Sequence, residues 1–172
     1  QWSSSAASDV YKRQGAIREL TKKMNSESLG YTVALGIPEL RKKISSLYKE
    51  WYGLDINPDR VIVTSGSSGA FILAFTALFD TSDKVGIGAP GYPSYKQILR
   101  ALDIEPVIIE TNIENKFQIS PKSINNQELN GILVASPANP TGSMLDSNQL
   151  TQLIKKCHDN SISFISDEIY PV

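Results

Sequence analysis

Two polar side chains that could do chemistry stand near the end of the sequence, directly after an apolar run. Residues 162–165 predict a buried strand, and Asp167 and Tyr170 follow its end. In open α/β sheets, ligands bind beyond the carboxyl ends of the strands. A partly buried Asp167 requires a cationic partner or several hydrogen-bond donors, and a protonated ring nitrogen would be such a partner. A helix cap or a salt bridge for Asp167, and core packing for Tyr170, are the structural alternatives.

The turn formed by Gly66, Ser67, Ser68 and Gly69 could bind an anion. It lies between a predicted strand at residues 61–65 and a predicted buried helix at residues 67–79. Glycine lets the backbone approach a ligand closely, and the free N–H groups at the start of a helix attract phosphate. Serine and glycine are also common at helix starts for structural reasons alone, so an ordinary helix cap is the alternative.

Asn139 and Tyr92 each follow another predicted strand. Asn139 lies in the turn SPANPTG, residues 136–142, whose prolines stiffen the backbone and would hold one amide in place. Tyr92 lies in the segment APGYPSY, residues 89–95, and could stack on a planar heterocycle. The alternatives are an ordinary Asn-Pro turn and the packing of Tyr92 and Tyr95 against neighbouring helices.

The elements that position these residues alternate between strand and helix. Short apolar runs predict strands at residues 61–65, 85–88, 106–109, 132–135 and 162–165, and longer stretches predict helices at residues 67–79, 92–102 and 147–159. An earlier helix begins near Pro38 and ends at Gly53, and residues 111–130 predict a loop with a short helix. The alternation predicts an α/β fold with a largely parallel sheet that is covered by helices on both faces.

Composition restricts the class of protein. The 172 residues are 41% hydrophobic and 20% charged, as in ordinary globular domains, and a formal net charge of −1 provides no basic surface for nucleic acid. The longest apolar run is too short to span a bilayer, so no membrane partner is predicted. Cys157 is the only cysteine, which favours a reducing compartment such as the cytoplasm. The only histidine, His158, has no second ligand near it, so no metal site is predicted.

Taken in order, the anion turn, the aromatic residue, the Asn turn and the final Asp and Tyr resemble one known cofactor site. It is that of the fold-type I, pyridoxal-phosphate-dependent aminotransferases of class I and II, the aspartate-aminotransferase fold. The resemblance runs from about Ala16 to Tyr170 and includes the segment YTVALG, residues 31–36. It implies a three-layer α-β-α large domain with a mostly parallel sheet, here incomplete. It also implies pyridoxal 5′-phosphate as cofactor, with an amino acid and a 2-oxo acid as substrates.

The resemblance assigns some residues to the cofactor phosphate. Ser67 and Ser68 would bind it, and Gly66 would shape the turn. Tyr31 would reach the phosphate bound to the neighbouring subunit of a homodimer.

Other residues are assigned to the cofactor ring by the same resemblance. Tyr92 would stack on the pyridine ring, and Asn139 and Tyr170 would hydrogen-bond its O3′ oxygen. Asp167 would pair with the protonated ring nitrogen, so that the cofactor does the carbanion chemistry while the protein orients it.

The resemblance further implies a longer parent protein. The lysine that carries the Schiff base and the arginine that binds the substrate carboxylate have no match here, so the chain alone is expected to be catalytically inactive. The predicted organisation is a non-native or non-homologous tail at residues 1–14, an N-terminal arm and lead-in helix at residues 15–55, and a truncated cofactor-binding large domain at residues 56–172. Strand 61–65 is expected to lie apart from the other strands, which leaves exposed edges that favour association.

Other functions fit the same residues. The nearest is a pyridoxal-phosphate-dependent carbon–sulfur lyase or related synthase on the same fold, which shares the residues that hold the ring. From another class, a non-catalytic aminotransferase-like sensor domain of a regulator is the alternative. A dinucleotide-binding domain is disfavoured, because the turn at residues 66–69 lacks the G-x-G-x-x-G pattern and no acidic residue ends the strand at Gly88.

Overall fold

The computed structural model describes residues 14–26, 30–125 and 127–170. Backbone contacts divide the chain into two compact units, Gln1–Ile62 and Val63–Val172. Most of the predicted tail, residues 1–13, lies outside the described residues, and the predicted domain boundary at residue 55 stays a prediction. None of the helices in the described part is long and apolar enough to cross a membrane.

The first unit contains two helices, α1 (Gln14–Ser26) and α2 (Pro38–Tyr52), followed by a 3-10 turn, Pro58–Arg60. The predicted ends of α2 are confirmed. Pro38 lies in its first turn, and Gly53 ends it with a left-handed φ of 70°, its N–H donating to the carbonyl of Lys49. Arg41 of α2 is buried, and its Nε donates to the carbonyl of Val61 at 2.9 Å.

The second unit builds one parallel sheet between helices. Its elements are α3 (Ser67–Leu78), β1 (Lys84–Ala89), α4 (Pro93–Ala101), β2 (Glu105–Glu110), β3 (Gly131–Ala135), α5 (Ser147–Asp159) and β4 (Ser163–Asp167). The strands lie in the order β2-β1-β3-β4, and every pair is parallel. Their carboxyl ends therefore share one edge, with Ala89 beside Glu110 and Ala135 beside Asp167.

Each face of this sheet buries its own hydrophobic cluster. On one face, α3 and α4 contribute Phe75 and Leu99, both fully buried. On the other face, α5 contributes Leu153, which packs with residues of the segment between β2 and β3. Neighbours in β3 alternate between the clusters, with Leu133 in the first and Ile132 in the second, because successive strand side chains point to opposite faces. The predicted three-layer α/β architecture is confirmed.

The predicted strand at residues 61–65 is wrong, since none of its residues is in a strand. Val61 has extended backbone angles, as the β-branched sequence favours. A strand also needs a neighbour for its N–H and carbonyl groups, and the described strands pair only with one another. The local sequence therefore favours the extended conformation of Val61, but it does not supply the neighbouring strand that pairing requires.

Three smaller predictions also need correction. The helix at residues 67–79 is not buried all round, because Phe71 and Phe75 are buried whereas Ile72 and Leu73 are exposed. The described residues of 111–130 form turns without the predicted short helix. The last strand extends further than predicted, so that Asp167 is its final residue and does not lie beyond it.

The start of β3 permits a direct test of packing. A Cβ atom on Gly131 would lie 2.2 Å from the ring of Phe79, which is itself buried. We therefore expect Gly131→Ala to destabilise the chain by about 1–3 kcal/mol through overpacking. Urea unfolding of the 172-residue chain measures this change. Gly30→Ala, where no atom lies within 4 Å of the new Cβ, is the matched control and should change stability by less than about 1 kcal/mol. An equal loss in both variants would contradict the packing argument.

Candidate functional site

A pocket at the carboxyl edge of the sheet gathers the predicted residues of the second unit. It holds about 530 Å³ of empty space, part of which is open to solvent. The residues that line it come from the start of α3, the start of α4 and the segments after β3 and β4: Ser67, Tyr92, Tyr95, Ala135, Pro137, Asn139, Asp167, Ile169 and Tyr170.

The start of α3 supplies the anion-binding end of the pocket. Gly66 precedes the helix with a φ of 86°, a conformation that favours glycine, and no side chain caps the first turn. The first N–H groups of a helix have no intrahelical partner, so those of α3 can be donated to a ligand. Ser67 lines the pocket, whereas Gly66 and Ser68 lie beside it in the same exposed turn.

The turn that carries Asn139 is held by a network of hydrogen bonds. The N–H of Ala138 donates to the carbonyl of Ser143 at 2.9 Å, and that of Gly142 donates to the carbonyl of Ala138 at 2.7 Å. Buried Gln118 adds donations from Nε2 to the carbonyls of Ala135 at 3.2 Å and Ser143 at 2.8 Å. The backbone of Asn139 is therefore fixed, while its amide makes no hydrogen bond within the described residues and can bind a ligand.

Asp167 lies between two donors at the end of β4. Its Oδ1 accepts a hydrogen bond from the N–H of Ile169 at 3.2 Å, and its Oδ2 accepts one from the hydroxyl of Tyr95. A carboxylate offers about four acceptor positions, so two donors leave room for a third. The carboxylate is half-buried and lines the pocket, where it can accept a hydrogen bond from a cationic group.

Tyr95 is the partner of Asp167 that sequence reasoning missed. Its side chain is 5% exposed, and its ring meets those of Phe71 and Tyr92 edge-on, with centroids 5.1 Å and 5.4 Å apart. Burial, followed by the hydrogen bond to Asp167, raises the pKa of the Tyr95 phenol well above its usual range. The sequence contained a signal for this role, because Tyr95 lies three positions after Tyr92 and residues at that spacing share one face of a helix.

Gln118 was missed as well, and the sequence offered no signal for it. It stands in a polar segment where an amide is usually solvated, and only the fold brings it beneath the Asn139 turn. Tyr31, by contrast, was predicted for the site and lies in the first unit, where it is exposed. Its role stays a prediction.

The pocket is suited to a flat cationic ring that carries an anionic arm. A helix start donates N–H groups at one end, and Asp167 supplies a negative charge at the end of β4. Tyr92 provides an aromatic surface, and the hydroxyl of Tyr170 makes no hydrogen bond within the described residues. No lysine is among the described residues that line the pocket.

Comparison with known proteins gives a consistent result. Residues 7–172 match the family described as aminotransferase class I and II. The valine–pyruvate aminotransferase of Mycobacterium tuberculosis is 43% identical over 149 residues, which are 86% of this chain and 38% of that protein. The aspartate aminotransferase of Bacillus subtilis is 32% identical over 160 residues, 91% of this chain and 41% of that protein.

A solved structure agrees with these relatives. The crystal structure of an aminotransferase from Mycobacterium tuberculosis is 41% identical and matches with a TM-score of 0.88, covering 90% of this chain and 41% of that one. The chain thus spans about two fifths of the length of the proteins it matches.

Proposed function

The chain belongs to the class I and II aminotransferase family, whose cofactor is pyridoxal 5′-phosphate, and we propose that the full-length protein containing it transfers an amino group between an amino acid and a 2-oxo acid. The observation that carries this proposal is the position of Asp167. Its carboxylate lies at the end of a parallel strand and lines the same pocket as Ser67, Tyr92, Asn139 and Tyr170. Such a carboxylate can hold a proton on a ring nitrogen.

The phosphate of the cofactor would lie at the start of α3. The uncapped N–H groups of the first turn and the hydroxyls of Ser67 and Ser68 would donate to it, and Gly66 would allow the close turn. The helix dipole contributes about 0.3–1 kcal/mol at an exposed site such as this one. The hydrogen bonds to the phosphate would add to this attraction.

The ring of the cofactor would lie across the ends of β3 and β4. Tyr92 would stack on it, and the amide of Asn139 and the phenol of Tyr170 would donate to its O3′ oxygen. Asp167 would accept the hydrogen bond from the ring nitrogen and keep the proton on that atom. When bound, pyridoxal phosphate supplies an electron-withdrawing ring that makes the loss of a proton from the amino acid possible.

Several properties of the whole protein belong to this proposal. A homodimer, in which Tyr31 reaches the phosphate of the other subunit, is proposed from the resemblance. No nucleic acid and no membrane is proposed as a partner, in keeping with the net charge of −1. The cytoplasm is the proposed location, since Cys157 is a buried free thiol. The inactivity of the 172-residue chain by itself stays a prediction.

An assay of the full-length protein separates the proposal from its rivals. With pyridoxal phosphate added, we expect one 2-oxo acid and one new amino acid to form in equal amounts. Valine with pyruvate is the first pair to test, because these substrates name the 43% identical relative, and aspartate with a 2-oxo acid is the second. Release of ammonia and pyruvate from a sulfur-containing amino acid would instead show a carbon–sulfur lyase. Cofactor binding without turnover of any amino acid would favour a sensor domain.

A further inference from the structure

Tyr95 has a position that packing alone does not explain. A buried tyrosine usually finds a partner for its hydroxyl, but here that partner is the carboxylate of Asp167, which lines the pocket. Its ring also touches Phe71 of α3, the helix whose start forms the anion-binding end, and Tyr92, the stacking candidate. One side chain therefore contacts the structures proposed to hold the phosphate, the ring face and the ring nitrogen.

We propose that Tyr95 is a positioning residue that holds the Asp167 carboxylate in the orientation in which it can accept a hydrogen bond from the cofactor's ring nitrogen. This inference rests on the proposed function. While the Tyr95 hydroxyl donates to Oδ2 and the N–H of Ile169 donates to Oδ1, the carboxylate is an acceptor at both oxygens. With both oxygens oriented as acceptors, the carboxylate is best placed to bind a third partner that donates, such as a protonated ring nitrogen.

The buried phenol is suited to this task because it keeps its own proton. Desolvation, the hydrogen bond to Asp167 and the charge of Asp167 all raise the pKa of Tyr95, and Tyr92 and Tyr170 act in the same direction. A raised pKa of an acid means that the neutral form persists to higher pH. Tyr95 therefore stays protonated, and remains a donor, to a higher pH than an ordinary tyrosine, whose pKa is about 10.

The first test uses Tyr95→Phe in the full-length protein, because phenylalanine keeps the ring contacts and removes only the hydroxyl. We expect the dissociation constant for pyridoxal phosphate, measured by equilibrium dialysis, to rise about tenfold or more, as for the loss of a hydrogen bond to a charged group. We also expect the ¹⁵N resonance of cofactor labelled at the ring nitrogen to shift towards the unprotonated value, because a carboxylate that lacks its Tyr95 donor is no longer held in line with the ring N–H. Tyr52→Phe, a substitution in α2, is the matched control and should change neither quantity.

The second test is a double-mutant cycle. In Asp167→Asn the charged acceptor is gone, so adding Tyr95→Phe should change the dissociation constant for pyridoxal phosphate much less than it does in the unmodified protein. Equal effects of Tyr95→Phe in the two backgrounds would overturn the inference, as would unchanged affinity and an unchanged ¹⁵N resonance in Tyr95→Phe. Failure of the unmodified protein to bind pyridoxal phosphate would instead overturn the proposed function, so the two failures are distinguishable.

Discussion

Replacement of Asp167 by alanine in the full-length protein should lower the rate of transamination by about 10- to 1,000-fold. An opposite charge at contact distance shifts the pKa of its partner by about 1–3 units, which corresponds to roughly 1.4–4 kcal/mol. The ring nitrogen would lose that stabilisation of its protonated form, and the barrier would rise by a similar amount. Steady-state kinetics at saturating cofactor measures the change, since saturation separates a slower reaction from weaker cofactor binding.

Two further variants separate charge from shape. Asp167→Asn keeps the size of the side chain and an acceptor for Tyr95 but removes the negative charge, so we expect it to be nearly as slow as Asp167→Ala. Glu168→Gln changes the neighbouring carboxylate, which is exposed and accepts a hydrogen bond from the hydroxyl of Ser166. It should leave the rate of transamination within about twofold of that of the unmodified protein. Transamination at the unmodified rate in Asp167→Ala would contradict the proposed role of this residue.

The sheet shows which parts of a fold can be predicted from one sequence. The strands around Val85, Ile132 and Phe164 were predicted to within about two residues, because they are short apolar runs bounded by turns. The edge where Asp167, Asn139 and Tyr92 meet followed from the same alternation, since parallel strands carry their ends to one side.

The failures have a common physical cause, which is that they depend on contacts between distant residues. Residues 61–65 have strand-forming side chains, but pairing requires a neighbour that local sequence does not reveal. The bond from Tyr95 to Asp167 spans 72 positions, and that from Gln118 to Ser143 spans 25. The exposed face of α3, which includes Ile72, was missed because an evenly apolar helix gives no indication of which side is covered.

Replacement of Phe75 by alanine should destabilise the 172-residue chain by about 3–5 kcal/mol, the range for removing a buried aromatic ring. Phe75 is fully buried between Phe71 and Phe79, with ring centroids 5.9 Å and 6.3 Å away. The cavity cannot close easily, because Val85 and Leu99 on the other elements are also fully buried. The free energy of unfolding of a domain is only about 5–15 kcal/mol. A loss of this size should therefore leave little or no cooperative unfolding transition. A urea titration followed by circular dichroism measures this change.

The matched control lies one turn earlier on the same helix. Ile72 belongs to α3 but is 46% exposed, so Ile72→Ala opens no closed cavity and should cost only about 1 kcal/mol. Because Phe71 packs against both Phe75 and Tyr95, the Phe75 variant should also loosen the contact that holds Tyr95 beside Asp167. Equal destabilisation by the two substitutions would mean that the helix buries its apolar residues evenly, and the division of α3 into a core face and an open face would then be wrong.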